Sequence, residues 1–314
     1  MRALMKGILR PMPTRRHFLR TATATALATH LARAPRAAET QPMLTRPIPS
    51  TGEKLPIVGC GTWRTFDAGD DLARRRELAG VLRALFAAGG SVIDSSPMYG
   101  SSEAVAGALL AESNTRNKAF IATKVWTDGR AAGIAQMEQS MRLWQTDRID
   151  LMQIHNLLDW RTHLATLRDW KAAGKIRYIG ITHYTSSAFA QVEAVLRSER
   201  IDFVQINYAA NDRDAEARLL PLAAERGVAV IVNQPFGGGS LLASLRNRPL
   251  PAFAQTLGCM SWAQLLLKFV LGHPAVTCVI PGTGRPEYMI DNAHAGIGVY
   301  PDAAMRQRIA DAIP

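Results

Sequence analysis

The sequence predicts an α/β protein, and within that class a (β/α)8 TIM barrel. From residue 44 onward, short apolar or β-branched runs alternate with longer amphipathic stretches. That alternation marks a parallel sheet whose crossovers are helices. Eight such units fit within about 250 residues, the usual span of a closed barrel. A doubly wound sheet would carry a G-x-G-x-x-G turn after its first strand. Here Gly59-Cys60-Gly61 runs on into Thr62-Trp63-Arg64, with no third glycine at that spacing.

Taken in order, the chain of elements begins with a hairpin. Residues 44–49, a turn at Thr51-Gly52, and residues 54–57 are expected to cap the bottom end of the barrel. The barrel strands are expected at 57–61, 91–94, 119–124, 150–155, 176–182, 203–207, 228–232 and 277–280. Most are almost wholly apolar, as strands buried on both faces must be. Helical patterns fall at 72–88, 103–110, 134–144, 164–173, 188–197, 215–226 and 262–271. Several stop at glycine or a basic residue beside one, as at Ala88-Gly89, Gly174-Lys175 and Arg226-Gly227, which are helix-ending chemistries. Residues 300–314 leave room for one closing helix.

The first 38 residues have a different character. Thr14-Arg15-Arg16-His17-Phe18-Leu19-Arg20 fits the twin-arginine export consensus, and a weakly apolar, small-residue stretch follows it up to Ala38. A charged start, a short apolar middle and a small-residue cleavage zone make an export signal. The expectation is a twin-arginine signal peptide over 1–38, cleaved at Ala38 or alternatively at Ala34, and a single barrel domain over 39–314. The twin-arginine export machinery would be a partner and the bacterial periplasm the destination. No apolar run approaches the ~20 residues of a membrane-spanning helix, so no stable membrane anchor is expected.

The formal charge of +11 invites a nucleic-acid reading, but its distribution argues against one. Residues 1–38 hold eight of the 37 basic residues and no acidic one, which leaves 29 basic against 26 acidic. The surplus belongs mainly to the export segment, so no basic groove is implied. Three scattered cysteines, Cys60, Cys259 and Cys278, are too few for a disulfide framework or a metal cluster. No metal site is expected.

Barrel chemistry sits at the C-terminal ends of strands. Those positions hold Asp94, Lys124 and His155, with Tyr99 five residues past Asp94 in the next loop. Each has an ordinary structural alternative: a helix cap, a rim lysine, a satisfied core histidine. Four ionisable groups of complementary type on one rim, from consecutive units, make a candidate site.

These residues lie in motifs that resemble the aldo/keto reductases over residues 44–312. Asp94-x4-Tyr99-Gly100, Thr123-Lys124, Gln153-Ile154-His155-Asn156, residues 174–180, Val204-Gln205-x2-Tyr208 and Ile280-Pro281-Gly282 occur in that family's order and spacing. The resemblance implies a catalytic tetrad of Asp94, Tyr99, Lys124 and His155. Hydride arriving at a carbonyl carbon leaves an oxygen that needs a proton and positive potential. Tyr99 would give the proton, with Lys124 lowering its pKa from the usual ~10. Asp94 would hold Lys124, and His155 would orient the carbonyl.

The same resemblance implies a dinucleotide at the barrel mouth, NADPH as the expected cofactor and NADH as the alternative. Thr182, His183 and Gln205 would meet its nicotinamide amide, with His183 standing where the family usually has asparagine. Asn233 occupies the place of a stacking tyrosine, so Phe236 or Tyr184 would have to supply the ring. Phe236, Gly237 and Gly238 would close over the pyrophosphate, since glycines let backbone N–H groups approach phosphate. Thr283, Arg285, Asp291 and Asn292 would meet the adenosine phosphate end, although Gly282 and Tyr288 replace two basic residues common there. Trp63 and Trp126 would line an apolar pocket for a small carbonyl substrate, and the short C-terminus implies an open one. Two rival readings are an exported dinucleotide-binding sensor or subunit with little turnover, and a barrel lyase or isomerase using Lys124 as a Schiff base.

Overall fold

The computed structural model describes residues 42–314, so the export segment expected over 1–38 lies outside the described residues. Strands β1 (Thr45–Pro47) and β2 (Lys54–Pro56) pair antiparallel. Gly52, at φ +77°, supplies the left-handed residue that closes their turn. Eight parallel strands follow. They are β3 (Cys60–Gly61), β4 (Val92–Asp94), β5 (Phe120–Val125), β6 (Ile149–His155), β7 (Ile176–Thr182), β8 (Phe203–Asn207), β9 (Ala229–Asn233) and β10 (Val276–Val279).

They lie side by side in chain order from β3 to β10. Single bridges, Val58 to Val279 and Gly61 to Gly282, join the two ends. At that seam the Gly59 N–H donates to the Val279 carbonyl and the Val279 N–H to the Ile57 carbonyl, each at 2.9 Å. The fold is the (β/α)8 barrel that the alternation predicts. The strand expected at 57–61 is reduced to Cys60–Gly61 because much of its bonding is made at these single bridges.

The helices are α1 (Leu72–Ala87), α2 (Ser102–Glu112), α3 (Arg130–Leu143), α4 (Trp160–Ala172), α5 (Phe189–Ser198), α6 (Leu219–Arg226), α7 (Ser240–Leu245), α8 (Trp262–Leu271), α9 (Pro286–His294) and α10 (Ala303–Asp311). Side chains of Asp71, Ser261 and Asp302 cap the first turns of α1, α8 and α10. Helix α6 starts four residues later than its apolar pattern suggests. Pro221 lacks the N–H that a helix interior needs, so it is tolerated only in a first turn, and Asp214–Glu216 forms a separate 3-10 turn.

Each barrel strand alternates between two cores. Ile93, Ile121, Met152, Ile154, Ile179, Ile181, Val204, Ile206, Val230 and Val232 face the helices. Their neighbours Val92, Phe120, Ala122, Leu151, Tyr178, Phe203, Ala229, Ile231 and Cys278 form a second cluster that contains no helix residue. That cluster fills the barrel, and Ile48 and Leu55 of the hairpin belong to it. The hairpin therefore plugs the bottom, as expected.

Two polar latches hold the plug. Arg46 donates to the carbonyl of Leu271, at the end of α8 where helix carbonyls lack partners, and to those of His273 and Val276 beyond it. On the other side Glu53 accepts from Tyr178 at 2.6 Å and pairs with Arg177. The described residues make one compact unit.

Truncating the plug tests this account. Leu55 is buried to 1% exposure, so Leu55→Ala should lower the unfolding free energy by about 2–5 kcal/mol, read from a urea transition.

Candidate active site

The inward face of every strand from β4 to β9 turns from apolar to polar at its C-terminal end. Asp94 ends β4, Lys124 is the penultimate residue of β5, and Gln153 and His155 share the inner face of β6. Thr182 ends β7, Gln205 and Asn207 lie on β8, and Asn233 ends β9. Space for the Gln153 side chain comes from Gly180, where a Cβ would stand 2.9 Å from Gln153 Cγ.

The centre of this layer is an ion pair. Lys124 Nζ lies 2.7 Å from Asp94 Oδ1 and donates to the Ser95 carbonyl at 2.6 Å. Asp94 Oδ2 accepts from the amides of Gln153 at 3.0 Å and Gln205 at 2.8 Å. Burial alone would drive protons off the ammonium, but Asp94 and Tyr99 outweigh it and hold the Lys124 pKa above its ordinary value. A fully buried pair is tolerable only when its remaining hydrogen bonds are filled, and here they are.

Tyr99 packs above this pair. Its ring centroid is 5.0 Å from Lys124 Nζ and meets the His155 ring edge-on at 5.8 Å. The expected fall in its pKa is not found. Burial raises the phenol above its usual value, Lys124 pulls it down, Asp94 pushes it up, and the net direction is up. His155 is driven the other way: burial first, then the charge of Lys124, lowers it to about 2. It is a neutral imidazole at any working pH.

Asp94, Tyr99 and His155 open into one cavity of about 560 Å³, together with Trp63, Trp126, Thr182, Gln205, Phe236 and Gly238. Lys124 lies just beneath, fully buried. Trp63 and Trp126 are 44% and 39% exposed, so the rim is aromatic and open. A larger polar hollow of about 990 Å³ lies at the opposite end; there Asp150 and Arg177 already pair at 2.9 Å.

His183 stands beside the mouth. Its Nδ1 accepts from the N–H groups of Tyr184 and Thr185, and its ring stacks on Tyr184 at 5.6 Å. Asn233 donates to the His183 carbonyl at 3.2 Å. Asn156 and Asn233 line the cavity, and the amide oxygen of each is buried with no partner among the described residues. Gly237, Gly238 and Gly239 follow Phe236 in succession with φ of +57°, +66° and +96°, a loop only glycine adopts without strain.

The remaining expected residues gather around α9. Thr283 Oγ accepts from the Arg285 N–H at 3.2 Å, and the exposed Arg285 guanidinium lies 5.6 Å from the Tyr288 ring. Asn292 is buried on the same helix. Asp291 is occupied: its oxygens accept from Ser261 at 2.7 Å and Gln264 at 2.6 Å, bracing α8 against α9.

Sequence reasoning gave no role to four residues of the site: Gln153, Asn156, Ser96 and Arg74. Gln153 could have been found, because it lies two positions before His155 and so on the same strand face. Ser96, bonded to His155 at 2.9 Å, sits in a loop with no periodic signal. Arg74 reaches the Gly284 carbonyl at 3.4 Å from a helix 210 residues away in sequence.

This chain belongs to the aldo/keto reductase family, whose sequence model matches residues 57–308. A methylglyoxal reductase of Escherichia coli K12, YeaE, is 29% identical over 233 residues, covering 72% of this chain and 80% of that protein. An aldo-keto reductase of Mycobacterium sp. strain KMS is 29% identical over 255 residues, covering 77% and 83%. The crystal structure of a Klebsiella pneumoniae aldo/keto reductase, in complex with NADP and acetate, superposes with a TM-score of 0.71 at 26% identity. It covers 82% of this chain and 93% of that one.

The neutral state of His155 has a consequence for stability. Its folded pKa lies below the unfolded value of about 6.5, so below that pH the unfolded chain binds a proton the folded chain refuses. Its contribution is whole above pH ~6.5 and is lost as the pH falls, by up to about 1.4 kcal/mol per pH unit. Melts from pH 7 to pH 4 should show that slope, and His155→Gln should make it shallower.

Proposed function

We propose that the cavity above the Asp94–Lys124 pair reduces aldehydes or ketones to alcohols, with Tyr99 as proton donor and NADPH as cofactor. The observation that carries this reading is the saturated ion pair beneath a protonated phenol, with a neutral imidazole on the same cavity wall. The relatives named above support the reaction class.

The residues present fit a nicotinamide cofactor. The orphaned oxygens of Asn156 and Asn233 call for N–H donors, and a carboxamide brings two. Thr182 and Gln205 stand beside them; in the Phe236–Gly239 turn the N–H groups of Gly237 and Gly239 bond within the loop, which leaves that of Gly238 to meet phosphate. Thr283, Arg285, Asn292 and Arg74 would receive the adenosine end. Asp291, already filled by Ser261 and Gln264, acts there through the position of α9. When bound, NADPH supplies the hydride.

The protein's own part is proton supply and positioning. Burial keeps Tyr99 protonated at neutral pH, which suits a donor. Lys124 eases the proton's departure by stabilising the phenolate that remains. Asp94 keeps Lys124 charged and aimed. A neutral His155 donates a hydrogen bond to the carbonyl oxygen without competing for the proton. Trp63 and Trp126 at the rim select carbonyl compounds with an apolar body.

The segment over residues 1–38 supports a second proposal, that the chain leaves the cytoplasm by the twin-arginine route to the periplasm. That route moves folded proteins, so a barrel assembled around a cytoplasmic dinucleotide could use it. No helix among the described residues is long and apolar enough to cross a membrane. Paired Arg15→Lys and Arg16→Lys substitutions should retain the chain in the cytoplasmic fraction of a bacterial host. Equal export of wild type and variant would remove the proposal.

Tyr99→Phe tests the reductase reading. Turnover with NADPH and an aldehyde should fall by at least about 10²-fold, while the dissociation constant of NADPH, read from its fluorescence, stays within about twofold. Undiminished turnover would take the proton from some other group.

A further inference from the structure

Asp94 is followed by two serines, and the structure gives them separate tasks. Ser95 turns its carbonyl to Lys124 at 2.6 Å and takes a hydrogen bond from the Thr62 hydroxyl at 2.8 Å. Ser96, fully buried, places its Oγ 2.9 Å from His155 Nδ1. The N–H of Met98 donates to the same Oγ at 3.3 Å. A single loop thus reaches both groups that flank Tyr99.

The proton count at Ser96 decides the state of His155. A hydroxyl has one hydrogen to give and two lone pairs to receive. Met98 fills one lone pair. Were Nδ1 protonated, Oγ would also accept from the ring, and its own hydrogen would need a third partner. Among the described residues Oγ has no other hydrogen-bond partner than His155 and Met98. A buried hydroxyl hydrogen left without an acceptor bears the full desolvation penalty of its group. The satisfied arrangement has Ser96 donating to an unprotonated Nδ1, so the ring of a neutral His155 carries its hydrogen on Nε2.

We propose that Ser96 is a positioning residue, whose hydroxyl locks His155 in the Nε2–H tautomer and so makes its other edge a hydrogen-bond donor. The proposal rests on the reductase reading for its purpose, since only a carbonyl oxygen in the cavity needs that donor. The opposite tautomer would turn a lone pair toward the carbonyl oxygen and repel it. Neutral imidazole has two tautomers close in energy, and burial alone does not choose between them. The tautomer is set by the bond the other nitrogen makes, and here that bond comes from Ser96.

The test pairs Ser96→Ala with Ser96→Thr in the full chain. Histidine-labelled protein is read by long-range 1H–15N correlation, which separates the two ring nitrogens, and by steady-state turnover. Wild type should show His155 as a single Nε2–H species. Ser96→Ala should give mixed tautomers and a kcat about tenfold lower, equivalent to about 1.4 kcal/mol, at unchanged NADPH dissociation constant. Ser96→Thr, which keeps the hydroxyl, should restore both. An unchanged His155 pattern in a folded Ser96→Ala protein overturns the proposal, whatever turnover does. Mixed tautomers in Ser96→Ala beside a wild-type chain that turns over no aldehyde or ketone with NADPH would uphold the role of Ser96 and bring down the reductase reading instead.

Discussion

A lysine ammonium enclosed in a barrel must be neutralised, and the arrangement around Lys124 follows from that requirement. Asp94 lies 2.7 Å away on the neighbouring strand and takes the charge. Its second oxygen then needs donors, and the amides of Gln153 and Gln205 converge on it from two further strands. Gln205 in turn accepts from Thr182. One buried charge therefore fixes polar residues on β4, β5, β6, β7 and β8 at the same height. The apolar half of the barrel below, closed by Ile48 and Leu55, keeps that layer out of water from the other side.

The opposing effects on the titrating groups divide the labour of the site. Desolvation disfavours every charge there, yet it acts differently on each group. It keeps Tyr99 in its protonated form and His155 in its neutral form. Lys124, paired with the Asp94 carboxylate, stays charged, because Asp94 and Tyr99 are close enough to reverse the trend. The site thereby holds one fixed positive charge, one loaded proton and one neutral hydrogen-bond donor within a few ångströms.

Much of this was legible in the chain. Eight apolar runs with helices between them define the barrel, and a polar residue ending an apolar run is visible at Asp94, Lys124 and His155. The hairpin plug follows from Ile48 and Leu55 on either side of Thr51-Gly52. Other features depend on facts a linear string does not carry. The direction of the Tyr99 shift turns on depth of burial, which outweighs the nearby ammonium. Asp291 sits where a contact with the adenosine end of the cofactor is expected, but Ser261 and Gln264, remote in sequence, fold back to fill its oxygens. Arg74 approaches the α9 loop only once the barrel has closed. The late start of α6 was written in Pro221, whose missing N–H outranks the apolar pattern around it.

The seam between β3 and β10 has a consequence for how the barrel moves. Most neighbouring strands share runs of paired residues, but here closure rests on isolated bridges at Val58 and Gly61. Three backbone hydrogen bonds, Gly59 to Val279, Gly61 to Pro281 and Val279 to Ile57, join the sheet there. The strand that forms it leads directly into Thr62 and Trp63, and its opposite bank leads into Gly282 and Thr283. Opening there would move the rim tryptophan and the α9 loop together, while the Asp94–Lys124 layer stayed clasped by the remaining strands. The barrel is thus a ring with a clasp, and the clasp stands between the rim tryptophan and the α9 loop.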